Sequence, residues 1–440
     1  MVRLTDLPRS PGAATGLALA ARPAPARTQG PRRELVAPDD ELLGPQEPTP
    51  TSGARACDLA KFHIPEVVFG AGALAELGHA ARRVGARRPF LVTDPGIIEA
   101  GWVAEAQGHL RLAGLAPVTW HGVTPNPKDH EVTDAYQHYI DSGADVIVAV
   151  GGGSCIDAAK GVAILAGNGG TILGYAGVDR VVQPIPPLVM APSTSGTGAD
   201  VSQFAVITDT TEHTKITIIS RALVPDISII DPRLLITMPD ELNAATGLDA
   251  LTHAIESFTS RAHNPLTDQH ALHSARLITG HLLETMLRPR AAAPRTAMAQ
   301  AALQAGMAFT NAILGITHPA MSHQVGGLLD IPHGVLNGVL LPHAIRFNAA
   351  VEPQRYVPLA AAIGIDTANG RPGAEVADEL AAHVRQLADT VGVPRGLSKL
   401  GVSETDIPTL ARNTLKDACL ATNPREADVV EIEALLRRAM

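Results

Sequence analysis

The run Val148-Ala149-Val150-Gly151-Gly152-Gly153-Ser154-Cys155-Ile156-Asp157 joins an apolar stretch to a helical pattern through three glycines. Upstream, Ala144-Asp145-Val146-Ile147-Val148-Ala149-Val150 reads as a strand. Its near-continuous Val and Ile content suits burial on both faces, as in a parallel sheet. Downstream, residues 154–167 read as a helix. Glycines let a backbone approach a ligand closely, and a helix N-terminus offers free N–H groups and a positive dipole end. The run is therefore a candidate phosphate cradle, in which Ser154 either caps the helix or binds the phosphate. The plainer reading is a tight turn with an N-cap; three consecutive glycines favour the phosphate.

The same texture extends on both sides. Pro89-Phe90-Leu91-Val92-Thr93-Asp94 and Pro187-Leu188-Val189-Met190-Ala191 read as further buried strands, with helical patterns near 97–114 and 129–142. Strands alternating with helices predict a doubly wound α/β domain over residues 58–237. After residue 237 the strand patterns stop. Helical patterns follow near 239–262, 266–288, 293–313, 334–350, 353–364 and 373–391, which places an all-helical domain over 238–440 with a boundary near Met238-Pro239. A cleft between the two is the default site. Residues 1–57 hold nine of the 34 prolines and read as a disordered Pro/Ala/Arg-rich tail. Its apolar stretch Gly16–Ala21 is shorter than the core of a secretory signal.

Composition narrows the function. The 440 residues, 45% hydrophobic and 18% charged, make a globular chain of two or three domains. A net charge of −9 argues against a nucleic-acid partner. Three scattered cysteines form neither a disulfide framework nor a thiolate cluster, which fits the cytoplasm. No apolar run approaches the roughly 18 residues of a membrane span. The 17 histidines outnumber all large aromatics (Phe 7, Tyr 4, Trp 2), which points to metal or proton chemistry.

Two more loops compete for a nucleotide. Gly70-Ala71-Gly72-Ala73-Leu74-Ala75 follows Val67-Val68-Phe69 and fits G-x-G-x-x-A, with Asp94 at about the expected distance. Spacing alone leaves Gly70 and Gly151 as rivals. Asp94, ending a strand, either caps a helix or bonds an adenosine ribose; its charge would oppose a 2′-phosphate and favour NAD over NADP. Pro192-Ser193-Thr194-Ser195-Gly196-Thr197-Gly198-Ala199-Asp200 is a polar turn or a hydroxyl-rich nucleotide loop. It lacks the G-x-S-x-G elbow of a serine hydrolase.

Metal candidates lie further on. Asp249 and His253 stand at i and i+4, so they share a helix face. Such a pair alone is commonly a surface or capping pair. His318, His323 and His333 then fall within sixteen residues, amid small and apolar neighbours. Buried imidazoles need partners, and one carboxylate with several imidazoles suits Fe²⁺, Zn²⁺, Mn²⁺ or Co²⁺.

These residues carry a family resemblance. ATGLDALTHAIE (245–256) with the later histidines and PHG resembles the iron-containing, or group III, alcohol dehydrogenases. So do GGGSCIDAAK (151–160), the PSTSGTGAD loop, PNP (125–127), DPRLL…MP (231–239) and LLPHAIRFN (340–348). The match runs from about Phe62 to the C-terminus. It implies a Rossmann-like dinucleotide-binding domain followed by an all-helical metal-binding domain, a dehydroquinate-synthase-like arrangement. It implies that the pyrophosphate loop is Gly151, Gly152, Gly153 and Ser154, with Asp157 in the same run, and not the Gly70 turn. By the same resemblance, Asp94 meets the adenosine ribose and Ser193, Thr194 and Thr197 contact the nucleotide. Lys215 then lies near the cofactor ribose and Asn126 near the nicotinamide.

Asp249, His253, His318 and His333 match the family's metal ligands, and His323 matches a histidine facing the nicotinamide. The implied activity is hydride transfer between a primary alcohol or diol and NAD, in either direction. Fe²⁺ is the implied ion, with Zn²⁺ as the alternative that raw affinity favours. The ion would lower the pKa of the alcohol, and the proton would leave through His323 or the ribose hydroxyls. A small-molecule alcohol or aldehyde is the expected partner, in a homodimer or larger homo-oligomer. Cys155 reads as a packing residue and His343 as a structural one.

One departure stands out. The family commonly has three residues between the histidines matching His318 and His323; here there are four, including Pro319. An added residue turns a helix by about 100° unless a bulge or kink absorbs it. Pro319 is the expected kink, and His323 and His318 would otherwise exchange roles. The other readings are a metal-dependent lyase or hydrolase on the related fold, and a non-catalytic metal or nucleotide sensor. The first needs a basic pocket, and few Lys or Arg lie near the metal motifs.

Overall fold

The computed structural model describes residues 61–368 and 370–440; the tail expected over 1–57 lies outside the described residues. The described residues pack as one compact unit. Nine strands are present among them: β1 (Glu66–Phe69), β2 (Pro89–Val92), β3 (Val118–Trp120), β4 (Val146–Gly151), β5 (Gly177–Val178), β6 (Leu188–Pro192), β7 (Phe204–Asp209), β8 (Thr214–Ile219) and β9 (Ile227–Ile230). Six form a parallel sheet in the order β1-β9-β6-β4-β2-β3. β4 and β6 are buried along their whole lengths, which is why both read as unbroken apolar runs.

Between β2 and β4 the direction of winding reverses. Ligands of such sheets bind beyond the strand C-termini at this switch point. The chain has Asp94 just past β2 and Gly152 to Ser154 just past β4, so the fold brings two distant sequence signals together. A second sheet, β5-β8-β7, contains the antiparallel pair β7–β8, which the sequence reading did not anticipate.

Helices α1 (Leu77–Arg83), α2 (Pro95–Glu99), α3 (Trp102–Leu112), α4 (Asp129–Ser142) and α5 (Gly153–Asn168) accompany the parallel sheet. The single helix expected over 97–114 is split into α2 and α3, because Gly101 between them adopts φ 85°, outside helical geometry. After β9 the structure is helical: α6 (Asp240–Thr259), α7 (Pro265–Leu287), α8 (Ala292–Ala312), a π-helix (Ile316–Ser322), α9 (His323–Leu329), α10 (His333–Ala349), α11 (Tyr356–Ala362), α12 (Gly373–Thr390), α13 (Ile407–Thr414) and α14 (Val429–Arg438).

α6 is the axis of this half. It is buried without a break from Asn243 to Thr259 and packs against α7, α8 and α10. A helix buried all round cannot leave its polar side chains to water, so each must find a partner inside the protein. α7 starts firmly: Asn264 accepts the N–H groups of Leu266 and Thr267, and Pro265 occupies the first turn. Such a cap stabilises a helix by about 1 kcal/mol. No helix among the described residues is long and apolar enough to cross a membrane.

Candidate active site

A cleft of about 820 Å³ gathers nearly every residue that the sequence singled out. Asp94, Asn126, Gly152, Gly153, Ser154, Asp157, Ser193, Thr194, Thr197, Lys215, Asp249, His253, His318, His323 and His333 all line it. Gly151 is the exception; it ends β4 one residue behind the lining. It still serves the loop, since a Cβ there would collide with the Cys155 side chain.

The glycine-loop end of the cleft is built by close approach. A Cβ on Gly152 would lie 3.1 Å from Thr194 Cγ2, and one on Gly153 2.7 Å from Thr197 Cγ2. The two loops therefore meet only because these positions are glycine. The N-terminus of α5, which is 16 residues long, faces the cleft there. Thr194 Oγ1 is buried without a partner, so the loop holds a polar atom in reserve. Asp94 does act as a helix cap: Oδ1 accepts the Ile97 N–H at 3.0 Å, while Oδ2 accepts the Cys155 thiol at 3.2 Å. Burial pushes the Cys155 thiol well up, with the Asp94 charge adding to it, consistent with a packing residue rather than a nucleophile.

The rival turn at Gly70 is closed. The N–H groups of Gly72 and Leu74 both donate to the Asp231 carboxylate at 3.1 Å. They are not free for a phosphate, and β1 lies at the sheet edge, away from the switch point.

Further along, Asn126 stands at φ 56° and its N–H donates to Ser154 Oγ at 3.2 Å. Asn126 Oδ1 accepts from Lys215 Nζ at 2.7 Å, and its Nδ2 donates to Asp330 Oδ1 at 2.5 Å. Lys215 Nζ also lies 3.3 Å from His333 Nδ1. Burial pushes the Lys215 ammonium down to about 7 despite the nearby Asp330. Asp157 is pushed up to about 7 by burial, with Lys160 pulling the other way. Lys160 itself donates to the Ser202 and Phe204 carbonyls, each at 2.7 Å, and so ties α5 to the start of β7.

At the far end Asp249 and the four histidines converge. His318 Nε2 lies 3.2 Å and His253 Nε2 3.9 Å from Asp249 Oδ1. Ring centroids are 4.4 Å apart for His253–His318, 5.2 Å for His318–His323, 5.3 Å for His318–His333 and 4.8 Å for His323–His333. Two triads have ligand atoms within 4.8 Å of one another: Asp249-His253-His318 and His318-His323-His333. His318 belongs to both. Burial pushes His253 down to about 3 and His323 and His333 well below the usual range, so these imidazoles are neutral with lone pairs available. Burial raises Asp249, but the facing His253 and His318 rings and the hydrogen bonds from His318 and Asn337 outweigh it and leave the carboxyl below its ordinary range.

Both ring nitrogens of His253, His318 Nδ1 and His323 Nε2 are buried with no hydrogen-bond partner. At roughly 1–3 kcal/mol each such atoms are costly, although one ion can take only one nitrogen of each ring. A divalent ion is the occupant whose chemistry fits this donor set.

The extra residue between His318 and His323 is absorbed by the π-helix Ile316–Ser322 rather than by a kink at Pro319. In a π-helix, residues five apart take the places that residues four apart take in an α-helix. His318 and His323 thereby stay on one face, and no exchange of roles is forced.

Several functional neighbours escaped the sequence reading. Asn337 Nδ2 donates to Asp249 Oδ1 at 2.7 Å, and Ser322 Oγ donates in turn to Asn337. Thr217 Oγ1 lies 3.2 Å from His323 Nδ1. Phe309 packs against His253 at 4.6 Å. Only Glu256 had a local signal, since it lies three residues after His253 on the same buried helix. His343 lies outside the cleft, facing a separate cavity with Arg346 and Arg385.

A parallel sheet with a glycine loop at its switch point, joined to a histidine-lined helical half, defines a class that sequence comparison names. A family model described as iron-containing alcohol dehydrogenase matches residues 65–232, and one described as Fe-containing alcohol dehydrogenase family, C-terminal, matches residues 243–440. The chain belongs to the iron-containing alcohol dehydrogenase family.

Among its relatives, 1,3-propanediol dehydrogenase of Citrobacter freundii is 41% identical over 382 residues, which cover 86% of this chain and 98% of the relative. The NAD-dependent methanol dehydrogenase of Bacillus methanolicus is 35% identical over 383 residues, 87% of this chain and all of the relative. Among solved structures, an alcohol dehydrogenase from Oenococcus oeni superposes with a TM-score of 0.84 at 36% identity, covering 87% of this chain and 100% of that one.

Proposed function

We propose that the cleft binds NAD and a divalent ion, and that the protein interconverts a primary alcohol or diol and its aldehyde by hydride transfer. The observation that carries this reading is the meeting of Asp249 and four imidazoles with a glycine-lined helix N-terminus in one cleft. Asp249, His253, His318 and His333 would hold the ion, Fe²⁺ in the first instance and Zn²⁺ as the alternative. When bound, the ion supplies Lewis acidity to the substrate oxygen and the nicotinamide accepts the hydride.

The chain's own residues supply the rest. The N–H groups at the start of α5 receive the pyrophosphate, beside the hydroxyls of Ser193, Thr194 and Thr197. Asp94 takes the adenosine ribose, and its charge disfavours a 2′-phosphate. Asn126 and Lys215 steady one another at the nicotinamide end. Thr217 fixes His323 at Nδ1, leaving Nε2 to take or return the proton of the substrate hydroxyl. Phe204, Phe309 and Leu314 form an apolar wall that limits water and suits an aliphatic chain. No arginine lines the cleft among the described residues, and Lys215 is its only Lys or Arg. Nothing here favours a lyase acting on a polyanion, and nothing favours a sensor.

The test uses metal-stripped protein resupplied with Fe²⁺ anaerobically or with Zn²⁺. NADH formation is followed with primary alcohols and diols, against NADP⁺ as the rival cofactor. Turnover restored by an ion, with NAD⁺ preferred, supports the reading; failure to bind any ion sinks it. A homo-oligomer in the cytoplasm belongs to the same proposal, tested by light scattering and fractionation.

A further inference from the structure

We propose that Glu256 is the positioning residue of the metal centre: it offers no ligand atom, but fixes the backbone that aims His318. The inference rests on the reading above, in which His318 is a ligand.

The argument starts from the π-helix. Its i→i+5 pattern leaves the first five N–H positions, those of residues 315 to 319, without an acceptor inside the helix. All of this segment is buried or nearly so, and water cannot serve it. Glu256 Oε2 accepts the N–H groups of Gly315 at 3.3 Å and His318 at 3.1 Å; Oε1 accepts that of Thr317 at 2.6 Å. Asn423 Oδ1 accepts the N–H of Ile316 at 3.1 Å. Residue 319 is a proline and has no N–H. Every position is thus satisfied, three by one carboxylate that is only 4% exposed.

A second observation comes from Gly315. A Cβ there would lie 2.6 Å from Asn423 Oδ1 and 3.3 Å from Glu256 Oε1. The glycine is what lets both acceptors close on the segment. Carboxylate acceptors hold N–H groups more firmly than neutral ones; burial raises the Glu256 carboxyl, and the hydrogen bonds from Thr317 and His318 work against that.

Glu256 also shares its helix with Asp249 and His253. The three lie at i, i+4 and i+7, on one face of α6. The helix that presents two ligands therefore grips, through Glu256, the turn that presents a third. Both Glu256 oxygens are taken by N–H donors, which leaves it no ligand role.

The test is Glu256→Gln, read on the metal-free protein. An amide keeps one acceptor oxygen and turns an NH₂ toward N–H donors. Zn²⁺ affinity is measured by chelator competition, Co²⁺ coordination by its visible spectrum, and the amides of 315–318 by hydrogen exchange. Expected are 10–100-fold weaker Zn²⁺ binding, an altered Co²⁺ spectrum, faster exchange at 315–318 and unchanged NAD⁺ affinity. In a His318→Ala background, Glu256→Gln should cost no further Zn²⁺ affinity.

Unchanged affinity in Glu256→Gln overturns the inference and leaves the function standing. Losses that add in full to His318→Ala overturn it as well, because they mean general damage. Wild-type protein that takes up no ion overturns both readings. Should Glu256→Gln not fold, Glu256→Asp keeps the charge at shorter reach and carries the same comparison; failure of both to fold rejects a role separable from stability.

Discussion

At the scale of single residues, the glycine loop gives the sharpest expectation. Gly153→Ala would place a methyl 2.7 Å from Thr197 Cγ2 and force the two nucleotide loops apart. Overpacking of this kind costs about 1–3 kcal/mol, so NAD⁺ should bind about 5- to 150-fold more weakly, read by fluorescence titration. Asp94→Ala should raise the preference for NADP⁺ over NAD⁺ at least tenfold in kcat/KM; an unmoved ratio would remove Asp94 from the ribose site. What could be read here from sequence was whatever a short interval encodes. Asp249 and His253 share a face because they stand four apart on a helix. The Gly70 turn could not be rejected this way, because Asp231, which occupies its N–H groups, lies about 160 residues away in the chain. Asn337 and Thr217 were hidden for the same reason: their contacts to Asp249 and His323 exist only after folding.

At the scale of elements, the π-helix makes two predictions. Pro319→Ala would add a buried N–H with no acceptor, at a cost of about 1–3 kcal/mol in urea unfolding, with metal uptake retained. Deleting Pro319 should let the turn relax to α-helical spacing, with four orphaned N–H groups, all already capped. Metal uptake should survive the deletion; its loss would show that the wide turn itself is required. The elements read best from sequence were those with one strong signal. The helix over 129–142 matches α4, and the unbroken apolar runs of β4 and β6 announced themselves. The β7–β8 pair did not, because its strands are buried only in part and carry polar threonines among the apolar residues. A π-turn has no signature in periodicity at all. Only the unusual histidine interval hinted that something must give.

At the scale of the whole molecule, an ion held by α6, the π-helix and α10 should stabilise all three together. At about a hundredfold excess over Kd, a ligand that binds only the folded state adds about 2.7 kcal/mol. Chelation should therefore lower the urea midpoint of wild-type protein. The shift should shrink in His318→Ala and persist in full in His323→Ala, which would separate a proposed ligand from the histidine proposed to carry the proton. The general architecture was legible because alternation of strand and helix ceases after residue 237, and composition alone spoke for a globular chain.

The capped π-turn has a consequence for how such a chain can change over time. A length change inside a buried segment ordinarily ruins whatever the segment holds. Here the one slot left without an acceptor is filled by the one amino acid that needs none. The turn should thus let a lineage lose that residue, or gain it as proline, at little penalty, so that drift in chain length need not end the chemistry beside it.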